Sequence, residues 1–179
     1  MEIYLSLDNI RSTYNVGAIL RTAEGFGVSR VYLSGVTPRY EDERLLPHLR
    51  EKINNQIAKT ALGAEKMVKI YACDDIKSEL LRLKTEAGAK ILGLENNLED
   101  SRLLQMKTEK FRHFHSALQT FKKPVVLILG EEVNGIDNSL YDIIDNFLEI
   151  PMKGRKESFN VSVAAGIALF GISDFDFDL

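Results

Sequence analysis

The sequence has one cysteine, no tryptophan and no long hydrophobic run. Cys73 stands alone among 179 residues, which excludes an internal disulfide and any metal site built from several cysteines. No segment stays apolar for the roughly 18 residues that a membrane helix needs. The first residues, MEIYLSLDNI, lack a basic region followed by an apolar core, so we expect no secretory signal. We therefore expect a cytoplasmic protein with no membrane partner.

Several common catalytic motifs are also missing. The first strand is not followed by G-x-G-x-x-G, and G-x-x-x-x-G-K-[ST] occurs nowhere, which disfavours a Rossmann dehydrogenase and a P-loop enzyme. No G-x-S-x-G elbow supports a serine hydrolase. His113 and His115 are two residues apart, so on a helix they point in different directions and make a poor metal site. We predict no bound metal.

The chain also lacks an excess of positive charge, with a formal net charge of −3 and a pI near 5.7. This balance argues against a large non-specific nucleic-acid footprint. It leaves room for a local basic patch, because Lys153, Arg155 and Lys156 lie close together in the sequence. Such a run is either a solvated loop or a contact surface for nucleic acid, and charge alone does not decide between them.

Strand and helix patterns alternate along most of the chain, as in an α/β fold. We predict strands at residues 3–7, 31–33, 67–71, 90–94, 125–129 and 147–150, and helices at 15–26, 49–58, 76–87, 109–121, 139–145 and 159–172. Residues 95–108 are acidic and irregular. The run 125–129 is continuously apolar, as expected of a central strand covered on both faces. These features predict a mainly parallel sheet of five or six strands with helices on both faces, in one domain spanning 1–179.

Three polar loops follow apolar strands: residues 8–21, 130–135 and 151–160. Ligands in open α/β sheets bind beyond the carboxyl ends of the strands. In the last loop Pro151 ends a strand, and Ser158 is a possible N-cap for the helix that follows. Asn15 and Asn138 are possible caps of two earlier helices. Because the first backbone N–H groups of a helix have no intrahelical partner, these loops are candidate ligand sites.

The three loops resemble the three motifs of the SpoU (TrmH-like) family of SPOUT RNA 2′-O-ribose methyltransferases. The segments are NVGAILRTAEGFGV from Asn15, LGEEVNGI from Leu129 and IPMKGRKESFNVSVAA from Ile150, in the order and spacing of the family. The likeness covers Ile3 to about Leu169, with the middle helices only loosely matched. Glu131 and Val133 depart from the pattern, because the family often has a small or amide residue and a glycine there.

The resemblance implies a fold with a deep C-terminal trefoil knot and a homodimer. It also implies that S-adenosylmethionine binds in the knot and that a ribose 2′-hydroxyl of tRNA or rRNA is methylated. With the first strand starting at Ile3, we expect no separate N-terminal RNA-binding domain. The family chemistry requires no metal.

The resemblance also assigns roles to residues. Arg21 is the leading catalytic residue, because a fixed guanidinium can stabilise the oxyanion of a ribose hydroxyl near the substrate phosphate. Asn15 orients Arg21 or substrate, and Glu132 orders the loops and pairs with cationic groups. The predicted catalytic set is Asn15, Arg21, Glu132, Ser158 and Asn160; the cofactor-binding set is Leu94, Leu129, Gly130, Ile150, Met152, Ser158 and Phe159; the substrate-binding set is Arg11, Lys153, Arg155 and Lys156.

The sequence is compatible with two other functions. The acidic pI and the altered second motif are compatible with a catalytically weak cofactor- or RNA-binding protein of the same fold. An enzyme of a doubly wound fold that does not act on RNA is the third hypothesis, and the missing phosphate-binding glycine motifs argue against it.

Overall fold

A sheet of seven parallel strands forms the centre of the protein, in a computed structural model that describes residues 1–173. The strands are β1 Ile3–Asp8, β2 Arg30–Ser34, β3 Ile70–Cys73, β4 Lys90–Leu94, β5 Leu103–Gln105, β6 Val125–Leu129 and β7 Asn146–Glu149. The helices are α1 Thr13–Gly25, α2 Pro47–Ala61, α3 Ile76–Glu86, α4 Glu109–Gln119 and α5 Val161–Ile172. The α/β class is confirmed. The acidic tail, residues 174–179, lies outside the described residues.

Strand β6 lies at the centre of the sheet, whose order is β3-β2-β1-β6-β4-β7-β5. Its side chains alternate between two cores, with Leu127 packed on one face and Ile128 on the other. Both are fully buried, as a strand covered on both faces requires. The prediction that 125–129 is central is confirmed.

The predicted strand count of five or six is wrong, because residues 95–108 contain a seventh strand. Strand β5 pairs with β7, with Leu103 opposite Phe147 and Leu104 opposite Leu148. It has only three residues, and Leu104 is the one that is buried, so no alternating pattern is long enough to see in the sequence. Pairing across the sheet edge, rather than local preference, makes this segment extended.

Helices cover both faces of the sheet, as predicted. Helices α1, α2, α4 and α5 contribute to one core, and α3 with residues 136–144 contributes to the other. The buried residues of α1 are Val16, Gly17, Ile19, Leu20 and Ala23, a spacing of three and four that places them on one side of the helix. Among residues 1–173 no helix is both long and apolar enough to span a membrane.

The predicted helix at 139–145 is absent; only a 3-10 turn, Asn138–Leu140, forms there. Its N-cap is Asp137, whose side chain accepts from the backbone N–H of Ser139 at 2.8 Å, so the predicted cap at Asn138 is also wrong. Ile143 and Ile144 are buried against the sheet instead. These two residues are apolar because they pack against the sheet, and not because they form the apolar face of a helix.

Strand β7 enters the sheet between β4 and β5, two strands that precede it in the chain. The last strand of the chain is therefore an interior strand of the sheet, flanked by two strands that come earlier in the sequence. A trefoil knot depends on how the connecting loops pass one another, which the strand order alone does not define. The knot stays a prediction of the family resemblance.

Candidate functional site

A cleft of about 470 Å³ opens where the central strands β4, β6 and β7 end. It is lined by residues 94–97, 129–133, 135, 150, 157–161 and 164. Eight of the predicted site residues line it: Leu94, Leu129, Gly130, Glu132, Ile150, Ser158, Phe159 and Asn160. Six others do not: Arg11, Arg21, Met152, Lys153, Arg155 and Lys156. Asn15 reaches the cleft through a hydrogen bond.

The floor of the cleft is shaped by a tight loop from Gly130 to Ile136. Glu131 and Gly135 form an antiparallel bridge in which each backbone N–H donates to the other carbonyl at 2.9 Å. A Cβ on Gly130 would lie closer than 3.0 Å to the backbone of Gly135 and Ile136. Only glycine allows this approach, so the loop can bring its backbone to the cleft wall.

Asn15, Glu132 and Asn160 form a continuous hydrogen-bond chain across the three motifs. The side-chain amide of Asn15 donates to Glu132 Oε1 at 3.0 Å, and that of Asn160 donates to Asn15 Oδ1 at 3.2 Å. Glu132 makes no ion pair within residues 1–173. Its predicted cationic partner is therefore replaced by an amide. The chain joins α1, the 130–135 loop and the start of α5.

The predicted caps of α1 and α5 are wrong by two or three residues. Ser12 caps α1 by accepting from the backbone N–H of Asn15 at 3.3 Å. Asn160 caps α5 by accepting from the backbone N–H of Ser162 at 2.9 Å, and Ser158 does not. Asn15 is thus inside its helix with its amide free to bond across the site. Ser158 is an exposed residue of the cleft wall.

Replacement of Asn160 by alanine should therefore have two separable effects. Loss of the cap should lower the free energy of unfolding by about 1 kcal/mol, and loss of the amide should release Asn15. Asn160→Asp keeps an oxygen for the Ser162 N–H but cannot donate to Asn15. In denaturant unfolding we expect Asn160→Asp to keep the free energy of unfolding of the wild type. We expect both variants to bind cofactor more weakly. Equal destabilisation by the two would contradict the capping role.

Glu95 is a cleft residue that sequence reasoning missed. Its carboxylate accepts from the backbone N–H of Ile136 and from that of Asn96, and a Cβ on Gly135 would collide with it. Burial is the main cause that raises the pKa of Glu95, and the two backbone donors oppose it. The available signal was an acidic residue directly after the apolar strand β4. Glu95 holds the far end of the 130–136 loop against β4.

The charge of the cleft lining is negative. Four carboxylates line it, those of Glu95, Glu131, Glu132 and Glu157, and no lysine or arginine does so among the described residues. Arg11 neutralises one of them from outside, with its guanidinium 2.8 Å from Glu131 Oε1 and 71% exposed. Leu94, Leu129 and Ile150 supply apolar surface. This combination favours an amphiphilic ligand that carries positive charge.

Arg21 lies on α1, exposed to solvent. It follows Asn15 by six residues, which is roughly 9 Å along the helix axis at 1.5 Å per residue. Its guanidinium makes no hydrogen bond or ion pair within residues 1–173. The next residue, Thr22, lies against α5 near Gly166. Arg21 therefore faces outward beside the helix that borders the cleft.

The predicted basic residues of the 151–160 loop are exposed as well. Lys153, Arg155 and Lys156 make no ion pair with other described residues, so their charges are available to a ligand on the surface. Met152 is half-buried and lies outside the cleft lining. In the described part of the chain, no group of three or more His, Cys, Asp or Glu residues is placed to hold a metal ion.

Comparison with known proteins identifies relatives over nearly the whole chain. The model of the SpoU rRNA Methylase family matches residues 2–170. A tRNA (guanosine(18)-2'-O)-methyltransferase from Aquifex aeolicus is 30% identical over 169 residues, which are 94% of this chain and 67% of that protein. A 23S rRNA (guanosine-2'-O-)-methyltransferase RlmB from Nitrosomonas europaea is 32% identical, over 94% of this chain and 54% of that protein.

A solved structure, described as an AdoMet-bound rRNA methyltransferase from Sinorhizobium meliloti, superposes with a TM-score of 0.72. The two are 25% identical, and the match covers 96% of this chain and 55% of the other. This chain thus spans between about half and two thirds of the length of these relatives. What they share with it is the region that contains the cleft.

Proposed function

This chain belongs to the SpoU rRNA methylase family, and we propose that it transfers a methyl group from S-adenosylmethionine to a ribose 2′-hydroxyl of tRNA or rRNA. The observation that carries the proposal is the Asn15–Glu132–Asn160 chain, which ties three distant motifs to one cleft at the carboxyl ends of the central strands. Relatives that act on tRNA and on rRNA are both matched, so we keep both substrates. The cytoplasm is the proposed compartment.

The cleft fits S-adenosylmethionine by volume and by charge. Its volume of about 470 Å³ is within the common range for small-molecule pockets, roughly 300–1,000 Å³. Leu94, Leu129 and Ile150 would hold apolar parts of the cofactor, and Phe159, which is 40% exposed, would contact the adenine. When bound, the cofactor supplies an electrophilic methyl group on a sulfonium. The carboxylates of the lining favour its positive charges.

Arg21 is the residue we propose for the chemical step. A ribose hydroxyl is a poor nucleophile near neutral pH, so its oxyanion must be stabilised or its proton removed. A guanidinium stays protonated and acts by electrostatic stabilisation, at the hydroxyl oxygen or at the adjacent phosphate. Asn15 and Asn160 hold the start of α1 against α5, and this contact positions Arg21. Lys153, Arg155, Lys156 and Arg11 would bind RNA phosphates.

We also propose that the active form is a homodimer in which α5 is covered by a second copy. Helix α5, VSVAAGIALFGI, carries no charged residue, yet Val163 and Phe170 are 49% and 52% exposed. Exposed large apolar side chains on a helix without charged residues are typical of an interface. Light scattering should give twice the chain mass of 20.2 kDa. A monomer at micromolar concentration would contradict this part of the proposal.

Methyl transfer from labelled cofactor to total tRNA and rRNA tests the proposed function. We expect label in one ribose 2′-O position, and mapping of that position identifies the substrate. Calorimetry with S-adenosylmethionine should show binding in the same preparation. Binding without transfer to any RNA would instead support the cofactor-binding protein of the same fold, and no heat at millimolar ligand would contradict the cleft assignment.

A further inference from the structure

A second groove, which we call the Tyr14 groove, lies between the start of α1 and the exposed side of α2. Its volume is about 450 Å³. Its lining includes the Tyr14 ring and the side chains of His48, Lys52 and Lys59, with Glu51 as the one acid. None of these residues lines the cleft described above. The groove is therefore a separate surface with an excess of positive charge.

The segment that carries Tyr14 is packed against α2. Thr60 Oγ1 donates to the Tyr14 carbonyl at 2.9 Å, and Thr13 Oγ1 donates to Gln56 Oε1 at 3.1 Å. Helices α1 and α2 pack so closely here that a Cβ on Gly17 would overlap the Ile57 carbonyl. The Thr60 bond engages the backbone carbonyl of Tyr14 and not its ring, and Tyr14 is 44% exposed.

A cation already lies against this ring. Lys59 Nζ is 5.8 Å from the centroid of Tyr14, within the range of a cation–π contact. One face or edge of the ring is thus near a positive charge while much of the rest faces solvent. A flat aromatic surface beside an ammonium is the arrangement that proteins use to stack an unpaired base and contact its phosphate.

The groove adjoins the reaction centre through α1. Tyr14 directly precedes Asn15, whose amide lies 3.0 Å from Glu132 at the cleft. Successive residues of a helix point about 100° apart, so the Tyr14 ring and the Asn15 amide serve two neighbouring surfaces of one helical turn. An RNA strand with its target ribose near Asn15 would pass over the Tyr14 groove with an adjacent nucleotide.

We propose that the Tyr14 groove binds the single-stranded RNA that flanks the methylated nucleotide, with Tyr14 stacking on a base and Lys52 and Lys59 contacting backbone phosphates. This rests on the proposed RNA methyltransferase function. The two lysines complement the negative charge of RNA. Among the described residues that line the groove, Tyr14 is the one large apolar side chain and none is aliphatic, whereas a partner helix would need several apolar contacts. Glu51 disfavours a phosphate at its own position and so restricts the path of the strand.

Binding of tRNA and rRNA fragments, measured by fluorescence anisotropy, tests the proposal. Tyr14→Ala should weaken RNA binding about tenfold or more, whereas Tyr14→Phe, which keeps the ring, should stay within about twofold of the wild type. The affinity for S-adenosylmethionine by calorimetry should be the same in all three proteins. Unchanged RNA affinity of Tyr14→Ala would overturn the groove and leave the methyltransferase proposal intact.

The lysines provide a second test that does not depend on the tyrosine. Lys52→Ala with Lys59→Ala should weaken RNA binding and reduce the slope of log affinity against log salt by about 0.7 for each lost phosphate contact. Lys69→Ala is the matched control, because Lys69 is exposed at the amino end of β3. An unchanged slope, or the same loss with Lys69→Ala, would contradict the groove. Failure of the wild type to bind any RNA would overturn the proposed function itself.

Discussion

Replacement of Arg21 by alanine is expected to lower the rate of methyl transfer by about 100-fold or more, with the affinity for cofactor nearly unchanged. Removal of one group that stabilises a developing oxyanion costs roughly 10²–10³ in rate. Arg21 is exposed and does not line the cleft, so its loss should leave the binding surface intact. Single-turnover transfer and calorimetry on the same preparations measure the two effects separately.

Two variants control this experiment. Arg21→Lys keeps the charge but loses the planar fork of donors, so we expect it to recover only part of the rate. Arg112→Ala removes another exposed helical arginine, on α4, and should leave the rate unchanged. Full activity of Arg21→Ala would contradict the catalytic role of Arg21. If cofactor affinity fell as much as the rate, Arg21 would instead contribute to cofactor binding in the cleft.

Replacement of Gly130 by alanine is expected to destabilise the protein and to weaken cofactor binding. The added Cβ would overlap the backbone of Gly135 and Ile136, and the antiparallel bridge between Glu131 and Gly135 would have to open. Overpacking of this kind costs about 1–3 kcal/mol. Because the moved backbone forms the cleft floor, we expect cofactor affinity to fall at least about tenfold.

Gly25→Ala provides the matched control for this steric argument. A Cβ at Gly25, the last residue of α1, would meet nothing within 4 Å. Its free energy of unfolding should be unchanged or slightly higher, since alanine restricts the unfolded chain. Denaturant unfolding of both variants measures the difference. Equal stability of the two would show that the 130–136 loop can shift without cost.

Predictions were most accurate where one local pattern was sufficient. Residues 90–94 and 125–129 were predicted with the bounds that the structure has for β4 and β6, because continuous apolar runs of that length are buried on both faces. The N-caps at Asn15 and Ser158 were wrong because several residues near each helix start can cap it. Which one does so depends on where the chain turns, and that is set by packing.

The sequence by itself determined the alternation of strands and helices, the central strand β6 and the three motifs that mark the family. These features depend on local periodicity and on short residue patterns. The second motif also marks Gly130 as a site residue, but the motif does not explain why a glycine is needed there. The structure supplies that reason in the close approach of Gly135 and Ile136.

Only the tertiary structure decided which groups meet. Asn15 lies 117 residues from Glu132 and 145 residues from Asn160, yet their side chains form one hydrogen-bond chain. The short strand β5, the loop-supporting role of Glu95 and the Tyr14 groove likewise depend on neighbours distant in sequence. Pairing of parallel strands brings their carboxyl ends to one edge of the sheet, and no local pattern specifies which polar side chains face each other there.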